Sequence, residues 1–397
     1  MTAALRALLP GAAVLVIAVV VLFATDDAAA QELAGTYGLV VYGAGLALAW
    51  VFHRSRAFIA LGVLAWLDIA VVGQADRVEL LAALGTVVLG ALAILGLMRD
   101  RGVGSRVGGA QVVGVTTLVA VGGYLFSDPE RVASFASRPE LLPLEVVTWP
   151  GYPRATLLVA AAAILAASWG FFRYRGPVER SLVWCSVLLL VSMHPDVGDA
   201  GSALFLVAAG LTVTIGIVET SYVMAYRDEL TGLPGRRALR QTLDGLKGRY
   251  AIAMVDVDHF KKFNDRHGHD VGDQVLKLVA SRLARVPGGG KAYRYGGEEF
   301  TLLFPGRERD EALEHLEVVR TSVEHARFSV RSWKRPQKKP ENGAAKKRSG
   351  SSKHLSVTVS IGVADTAVTG SGADDVLKKA DQALYRAKQR GRNRVSE

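Results

Sequence analysis

The sequence has 397 residues, half of them hydrophobic, and carries a formal net charge of +10 at pH 7. The length allows two or three domains, and so large an apolar fraction argues against a chain that is water-soluble throughout. The apolar residues are concentrated in the first 225 positions.

These apolar residues form blocks of roughly 17 to 22 residues, the length that a helix needs to cross a membrane. We predict eight membrane-spanning helices, at approximately 7–24, 34–52, 57–74, 79–98, 109–126, 155–172, 181–194 and 202–223. The seventh is short. Residues 1–225 are therefore predicted to form a polytopic, all-α membrane domain.

The charges of the connecting loops orient these helices, because Lys and Arg are enriched in cytoplasmic loops. With Arg6 on the inside, the cytoplasmic loops are those that contain Arg54/Arg56, Arg99/Arg101/Arg106 and Arg173/Arg175/Arg180. The external loops are then those with Asp26–Asp27, Asp76–Arg77 and Asp196/Asp199. This arrangement places the C-terminal part of the chain in the cytoplasm.

The first apolar stretch has a second interpretation. Arg6, the stretch itself and Ala28–Ala30 also resemble a secretory signal with a small-residue cleavage site. The stretch of about 17 residues is longer than the roughly 7 to 15 residues of a usual signal. Cleavage would leave seven spans and the same final orientation.

A few polar or reactive residues stand out in this region. Cys185 is the only cysteine, so an intramolecular disulfide is impossible, and we interpret it as a small apolar residue within the membrane. Asp68 lies in a predicted span, where it is either functional or a hydrogen-bonded packing residue. His194, Asp196 and Asp199 form either an ion or ligand site or an ordinary polar loop.

The net charge has a local origin. The segment from Arg331 to Lys353 contains nine basic residues and one acidic residue, and so carries +8 of the +10. Its Pro, Gly and Ser content predicts a disordered insert at about 331–354. The insert is either a solvated loop or a contact with anionic membrane lipids. Nucleic acid is not expected as a partner, because Trp333 is the only aromatic residue among these charges and no nucleic-acid motif is present.

The C-terminal part, 226–397, alternates strand and helix patterns as a compact α/β domain does. The predicted elements are a strand at Tyr250–Asp258, a helix at Gly272–Val286, a hairpin at Lys291–Phe304, a helix at about 309–326, strands near 327–331 and 355–364, and a helix at about 373–390 that Gly391 ends. This order predicts a layered sheet with helices on its faces.

Two acidic clusters follow strand-like segments of this domain. Gly296–Gly297 precedes Glu298 and Glu299 in the turn of the predicted hairpin, and Asp256–Asp258 ends an apolar strand. Two glycines let the backbone approach a ligand closely, and acids beside them attract a cation. The pattern predicts a divalent-metal site for phosphoryl transfer.

With these residues in view, the C-terminal part resembles the GGDEF family of bacterial diguanylate cyclases. Six motifs in order carry the resemblance, namely Asp228-Glu-Leu-Thr-Gly-Leu-Pro-Gly-Arg-Arg237, Asp256-Val-Asp-His-Phe-Lys-Lys-Phe-Asn264, Gly268-His-Asp-Val-Gly-Asp273, Gly296-Gly-Glu-Glu-Phe300, Val359-Ser-Ile-Gly-Val363 and Ala380-Asp-Gln-Ala-Leu-Tyr385 through Lys388 to Gly391-Arg-Asn393. The resemblance implies an antiparallel-rich sheet of the cyclase or polymerase-palm type, flanked by helices. Together with the predicted spans and the loop charges, it indicates the bacterial inner membrane as the location.

The resemblance also implies the chemistry of the first acidic residues. Asp256 and Glu298 would hold Mg²⁺, or Mn²⁺, with help from the Val257 carbonyl. Glu299 would be a second metal ligand or the base that takes the proton of the attacking 3′-hydroxyl, and which of Glu298 and Glu299 is the base stays open. Mg²⁺ would neutralise the triphosphate and stabilise the departing pyrophosphate.

Further residues would bind GTP by the same resemblance. The phosphate contacts are assigned to Lys261, the amides of His259 and Phe260, Lys388 and Arg392. The backbone at Gly296 and Gly297 would approach the nucleotide closely. Asn264 and Asp273 would read the guanine edge, because an amide and a carboxylate can pair with its O6 acceptor and its N1 and N2 donors.

The implied product, cyclic di-GMP, needs two GTP molecules, so two domains of a homodimer must face each other. We expect the membrane region to sense a signal and to set this geometry, and effectors that bind cyclic di-GMP to act downstream. A catalytically silent receptor that uses the domain to bind GTP or a partner is the alternative. A transporter with a regulatory domain is disfavoured, because the span centres are almost wholly apolar apart from Asp68.

Two departures from the family pattern are visible. Pro287–Gly290 replaces the Arg-x-x-Asp at which product inhibits many members, so no inhibitory product site is expected. Gly235 replaces a common Asn and is expected to affect a turn more than catalysis. We find no phosphodiesterase-like segment, so degradation of the product is not expected.

Overall fold

The computed structural model describes residues 3–71, 77–126, 151–152, 154–326, 328–329, 354–369 and 372–397. The chain divides into two compact units, Met1–Tyr222 and Val223–Glu397, which we call the N-terminal and C-terminal units. Asp76 and all but the last residue of the predicted basic insert at 331–354 lie outside the described residues.

The N-terminal unit is helical, and each predicted span falls on one of its helices. In the described part of the chain these helices are α1 (Ala3–Ala24), α2 (Asp27–Val51), α3 (Ser55–Val71), α4 (Arg77–Leu97), α5 (Arg106–Phe126), α6 (Arg154–Tyr174), α7 (Pro177–Ser192) and α8 (Gly198–Tyr226). A short 3₁₀ turn, Pro195–Val197, precedes α8.

Five of these helices, α2, α4, α5, α6 and α8, contain a stretch that is long and apolar enough to cross a membrane. α1 contributes a shorter apolar stretch, Leu9–Ala24. α3 has 17 residues and α7 has 16, which is near or below the lower limit for a span. The described helices therefore include several long apolar ones, but a count of eight spans is not confirmed.

Small residues and buried leucines hold this unit together. A side chain at Gly96 of α4 would collide with the backbone of Ala166 and Ala167 in α6, so the two helices are in close backbone contact there. Leu64 and Leu67 of α3 are fully buried in the hydrophobic core of this unit, which also includes Ala167. The interior also contains an ion pair between Arg56 and Glu179, whose residues are 2% and 9% exposed.

The C-terminal unit is an α/β domain. Its described elements are α9 (Arg236–Asp244), β1 (Tyr250–Val257), α10 (Phe260–His267), α11 (His269–Leu283), β2 (Lys291–Arg294), β3 (Glu299–Pro305), α12 (Arg309–Glu324), β4 (Phe328–Ser329), β5 (His354–Leu355), β6 (Val359–Asp365), α13 (Thr366–Thr369), α14 (Ala373–Gln389) and β7 (Val395–Ser396).

The main sheet of this unit has the strand order β2-β3-β1-β6-β7. All neighbouring strands are antiparallel except β6 and β7, so the predicted antiparallel-rich sheet is confirmed as a mixed sheet. β4 and β5 form a separate two-stranded ribbon. The central strand β1 is buried along its whole length because helices cover both faces of the sheet.

The two faces of β1 enter different hydrophobic clusters, since successive side chains of a strand alternate. Ala253 and Val255 pack with residues of α11 and α12, whereas Ile252 and Met254 pack with residues of α9 and α14. α14 lies so close to β6 that a side chain at Gly362 would collide with the helix backbone. This contact fixes α14, and with it Lys388, against the sheet.

Candidate active site

The two acidic clusters lie together at one edge of the main sheet. Asp256, the penultimate residue of β1, pairs in register with Glu299, the first residue of β3. The Val257 amide donates to the Glu298 carbonyl over 3.3 Å. Four predicted site residues, Asp256, Val257, Glu298 and Glu299, are therefore adjacent because antiparallel pairing brings the end of β1 beside the start of β3.

Burial and mutual repulsion disfavour the ionised forms of two of these acids. Asp256 is 5% exposed, and burial raises the pKa of its carboxyl, an effect that Lys388 partly offsets. Burial, and then the nearby charge of Asp256, raise the pKa of Glu298. Desolvated like charges of this kind favour a bound cation.

The donor set fits a divalent metal, since hard cations prefer carboxylate and carbonyl oxygens. Asp256, Glu298 and the Val257 carbonyl would supply these oxygens. Among the described residues, no three His, Cys, Asp or Glu side chains are grouped closely enough to hold a metal ion by themselves. A site here therefore depends on the backbone carbonyl, and on oxygens that a substrate would bring.

Lys388 supplies the cation that neutralises Asp256 in this structure. Its Nζ atom lies 2.9 Å from Asp256 Oδ2, and its side chain is 32% exposed. It comes from the last turn of α14. Arg392, three residues beyond the end of α14, also lowers the pKa of Asp256 through its charge. The structure thus brings two of the three predicted phosphate-binding cations, Lys388 and Arg392, near the acidic cluster.

Asp258 has a different environment from Asp256, although both belong to the acidic motif at the end of β1. It is 7% exposed, and its carboxylate accepts hydrogen bonds from the Ser360 hydroxyl (2.6 Å), the Thr358 hydroxyl (2.7 Å) and the Asn393 amide (3.1 Å). Sequence patterning did not separate the two aspartates, because the donors come from distant parts of the chain.

α10 begins directly after these acids. His259 caps it in the left-handed conformation, with φ of 57° and ψ of 26°, and Phe260 is its first residue. This puts the amides of His259 and Phe260 at the helix N-terminus, where backbone N–H groups favour an anion. Lys261 is exposed on the first turn.

The two predicted guanine-reading residues are neighbours. The Asn264 side chain lies against Gly272, next to Asp273 in the first turns of α11, and Asp273 is exposed. Asn264 Oδ1 is buried and has no hydrogen-bond partner among the described residues. A buried acceptor without a donor is costly unless a ligand supplies one.

The glycine pair forms the turn between β2 and β3. The amides of Tyr295 and Gly296 both donate to the Glu299 carbonyl, over 2.9 and 3.2 Å. Gly297 is exposed at the tip. The predicted hairpin and its turning point are thereby confirmed.

Arg294 and Asp228 anchor this turn, and sequence analysis gave neither a role. Arg294 Nη1 donates to both carboxylate oxygens of Asp228, over 2.7 and 2.8 Å, and its Nη2 donates to the Gly297 carbonyl over 2.7 Å. Burial raises the pKa of Asp228, but hydrogen bonds from Thr231 and Arg294 outweigh it and leave the pKa below its usual value. The motif Asp228 to Arg237 therefore contributes structurally to the site.

A concavity of about 360 Å³ is lined in part by the glycine turn. Its walls share a basic character and come from 225–228, 235–237 and 294–297. It does not include the carboxylates of Asp256 or Glu298. The candidate site is therefore the acidic cluster, which lies outside this concavity.

The polar residues singled out in the N-terminal unit do not form a comparable site. Cys185 is fully buried, in line with the predicted apolar role. His194 Nδ1 lies 3.7 Å from Asp196 Oδ2, and the His194 ring packs edge-on against Tyr152. Asp68 is partly buried on α3 and does interact with other groups.

The fold and the site together define an α/β domain with a carboxylate cluster at the edge of its mixed sheet, and comparison with known proteins identifies the family. Residues 225–345 and 337–394 match the family described as "Diguanylate cyclase, GGDEF domain". The chain therefore belongs to the GGDEF family through its C-terminal unit.

Individual relatives agree with this assignment. The response regulator PleD of Caulobacter vibrioides is 37% identical over 186 residues, which are 45% of this chain and 37% of PleD. The diguanylate cyclase VdcA of Vibrio cholerae is 38% identical over 172 residues, which are 42% of this chain and 45% of VdcA. This chain thus spans less than half the length of each of these two relatives.

Among solved structures, the coiled coil and GGDEF domain of DgcB from Caulobacter crescentus, in complex with c-di-GMP, is 32% identical. The match covers 45% of this chain and 88% of the chain in that crystal structure, with a TM-score of 0.37.

Proposed function

We propose that this protein is a diguanylate cyclase that condenses two GTP molecules into cyclic di-GMP and two pyrophosphates across a homodimer. The observation that carries the proposal is the proximity of the desolvated carboxylates of Asp256 and Glu298 where β1 ends and β3 begins, with Lys388 in contact with Asp256. An acidic pair with raised pKa values beside a lysine is suited to binding a metal–triphosphate complex. The names of the relatives support the same reaction.

The metal-binding residues would be Asp256, Glu298 and the Val257 carbonyl, with Glu299 as a second ligand or as the base. Mg²⁺, or Mn²⁺, when bound there would neutralise the triphosphate and stabilise the leaving pyrophosphate. In each of the two steps, the 3′-oxygen of one GTP bonds to the α-phosphorus of the other, and the bond from that phosphorus to the β-phosphate oxygen breaks. The hydroxyl proton passes to Glu299 or Glu298.

The phosphates would be held from two sides. Lys388 and Arg392 approach from the end of α14, and Lys261 with the amides of His259 and Phe260 approaches from the start of α10. The close backbone at Gly296 and Gly297 leaves room for the nucleotide. Positive charge fixed at this position lowers the cost of the charge that develops during transfer.

Guanine would be selected by Asn264 and Asp273. The Asp273 carboxylate accepts from the N1 and N2 donors of guanine, and the Asn264 side chain pairs with the base edge. Adenine lacks these donors, so it would leave buried polar groups unpaired, which is a strong basis for discrimination. The buried and partnerless Asn264 Oδ1 supports this assignment.

We further infer that residues 1–225 form a multi-pass sensor in the bacterial cytoplasmic membrane and that 226–397 form the cytoplasmic catalytic domain. The long apolar helices support the membrane location. α8 continues to Tyr226, two residues before Asp228, so a movement of α8 reaches the catalytic domain without a flexible linker. Such a movement would set how two domains face each other, and effectors of cyclic di-GMP would respond downstream.

The test is cyclic di-GMP formation from GTP and Mg²⁺ by the detergent-solubilised full chain, with Glu298→Ala/Glu299→Ala and an exposed control on α12, Glu314→Ala. Product from the wild type and the control, but not from the double variant, is expected. GTP binding without product from any of the three, and also without product when residues 220–397 are forced to dimerise, would contradict the cyclase and favour the silent receptor.

A further inference from the structure

The turn that follows α14 has an unusual backbone. Gly391, Arg392 and Asn393 have φ values of 107°, 62° and 47°, three consecutive residues on the left-handed side. Arg392 has no special tolerance for this conformation, so the surroundings must hold the turn. The turn matters because it carries Arg392, and because Lys388 lies one helical turn before it.

Asn393 is the point at which the turn is held. Its amide donates to Asp258 Oδ2 over 3.1 Å. Its side chain donates to Glu324 Oε1 over 2.7 Å and accepts from Arg320 Nη1 over 2.9 Å. Both partners lie on α12 and pair with each other at 2.8 Å. The turn is therefore fixed to α12 through the side chain and to the end of β1 through the backbone.

Asp258 is fully engaged in this arrangement. Its Oδ1 accepts from Ser360, and its Oδ2 accepts from Thr358 and from the Asn393 amide. Its own amide donates to the Thr358 carbonyl over 2.9 Å. Asp256, two residues earlier, instead faces Lys388. The two aspartates of one motif thus meet different kinds of partner, a cation for Asp256 and three neutral donors for Asp258.

We propose that Asp258 and Asn393 are positioning residues of the nucleotide-phosphate site, which hold the left-handed turn so that Arg392 and Lys388 stay beside Asp256. Asp258 acts through the turn and not as a metal ligand. This inference rests on the proposed function for its consequence in catalysis. The tethering of the turn by Asp258 is independent of the proposed function.

The test uses the full chain in detergent with Asp258→Ala, Asp258→Asn and Asn393→Ala, beside Asp381→Ala as an exposed control on α14. The first readout is amide hydrogen exchange of the peptide that covers 388–394, which needs no nucleotide. Asp258→Ala should speed exchange there, because the Asn393 amide loses its acceptor. Asn393→Ala should do so to a smaller extent, because it keeps the bond to Asp258. The control should leave exchange unchanged.

The second readout is the GTP and Mg²⁺ dependence of binding and turnover. Asp258→Ala should raise KM for GTP by about tenfold, the effect of losing one hydrogen bond to a charged group, with a smaller change in kcat. Asp258→Asn should restore values near the wild type at an unchanged Mg²⁺ requirement, because an amide oxygen can replace Oδ2 and an amide NH₂ can donate to the Ser360 hydroxyl.

Two results would overturn the inference. One is wild-type exchange of 388–394 in Asp258→Ala. The other is a raised Mg²⁺ requirement in Asp258→Asn, which is what a metal ligand would give. Thermal unfolding checks that each variant folds, and if Asp258→Ala does not, Asn393→Ala carries the exchange test. A chain that makes no cyclic di-GMP would refute the proposed function, while hydrogen exchange would still decide the tethering of the turn.

Discussion

The ammonium group of Lys388 lies 2.9 Å from the carboxylate of Asp256, and this contact joins the last turn of α14 to the end of β1. Both residues are held by packing, because Asp256 belongs to the fully buried central strand and α14 lies against Gly362 of β6. The relationship places a fixed cation beside a carboxylate whose pKa is raised by burial. In the proposed function, this arrangement would bind a metal–triphosphate complex.

Replacement of Lys388 by Met should lower kcat/KM for GTP by about 100-fold, because it removes a preorganised charge from the phosphate site. It should also raise the pKa of Asp256 further, because the lysine opposes the effect of burial. Steady-state kinetics and the acid side of the pH–rate profile measure both effects. Lys378→Met, exposed on the same helix, is the control. Equal activity of the two variants would contradict the role of Lys388.

The pH dependence of activity follows from the raised pKa values of Asp256 and Glu298. Binding of a cation requires the ionised carboxylates, so activity should fall as the pH decreases through their pKa values. These values lie above the ordinary 3.8 of Asp and 4.5 of Glu, since burial disfavours the charged forms. We expect the acid limb of kcat/KM above pH 4.5 and a shift to lower pH at higher Mg²⁺. A limb below that pH that is insensitive to Mg²⁺ would contradict the assignment.

Because its pKa is raised in the folded state, the ionised Glu298 side chain destabilises the fold at neutral pH. A carboxyl whose pKa is higher in the folded than in the unfolded state stabilises the fold below its unfolded pKa, and this contribution is lost as the pH rises through the folded value. Glu298→Gln should therefore raise the Tm of the C-terminal unit at pH 7 by about 2 °C. The gain should disappear near pH 4 and in saturating Mg²⁺, which stabilises only the wild type. A lower Tm of the variant at pH 7 would be evidence against the repulsion.

The Arg294–Asp228 ion pair should contribute more to the free energy of unfolding than an exposed pair of the same type. Asp228→Asn should destabilise the C-terminal unit by about 1–3 kcal/mol, because Arg294 loses a charged acceptor in a partly buried setting. Since the folded pKa of Asp228 is depressed, its contribution is present above the unfolded pKa and is lost as the pH falls through the folded one. Thermal unfolding at pH 7 and at acid pH checks both statements.

The matched control for this prediction is Asp374→Asn. Asp374 also accepts from one arginine, Arg240, through both oxygens, over 2.8 and 3.0 Å, but both side chains are more than half exposed. Solvent screening should leave this change within about 0.5 kcal/mol. Equal effects of the two substitutions would show that burial does not distinguish the pairs.

Local patterns predicted much of the C-terminal unit but not all of it. The strand at Tyr250–Asp258 and the hairpin around Gly296–Gly297 are confirmed, because alternation and turn residues specify them locally. β7 was missed, since two residues carry no periodic signal and Val395 is a strand only through parallel pairing with β6. The predicted strand at 355–364 is instead two strands, β5 and β6, in different sheets.

The candidate site shows the same limit. The residue pattern supplied the acidic clusters, the resemblance supplied Lys388, and the structure brings these residues together. The separate environment of Asp258 was not predictable, because its three donors lie 100 or more residues away in sequence. The anchoring of the glycine turn by Asp228 was missed for the same reason, since 66 residues separate it from Arg294.

The buried pair of Arg56 and Glu179 gives a test of the N-terminal unit. Arg56 also donates to the Met98 carbonyl over 3.1 Å, so it links α3, α7 and the segment after α4. Arg56→Met alone should destabilise the unit by about 3–5 kcal/mol, because it leaves the Glu179 charge buried without its partner. Arg56→Met with Glu179→Leu should recover most of this loss. Thermal unfolding in detergent measures both, and additive losses in the double variant would contradict a coupled pair.

Product inhibition is the last property that the sequence and structure predict. The segment at Pro287–Gly290 is a tight turn, with φ of 72° at Gly288 and 78° at Gly289, and the Gly288 carbonyl accepts from Arg307 Nε over 2.7 Å. It offers no arginine–aspartate pair to a cyclic dinucleotide. Added cyclic di-GMP should therefore inhibit initial rates only weakly and only in competition with GTP.

Introducing the missing arginine–aspartate pair should not create an inhibitory site. A side chain at Gly290 would collide with the Phe304 ring and Val286, so Pro287→Arg/Gly290→Asp should lower the Tm without creating inhibition. Pro287→Arg alone, which leaves Gly290 unchanged, is the control for folding. Inhibition of the wild type that excess GTP does not relieve would show that a product site exists elsewhere on the domain.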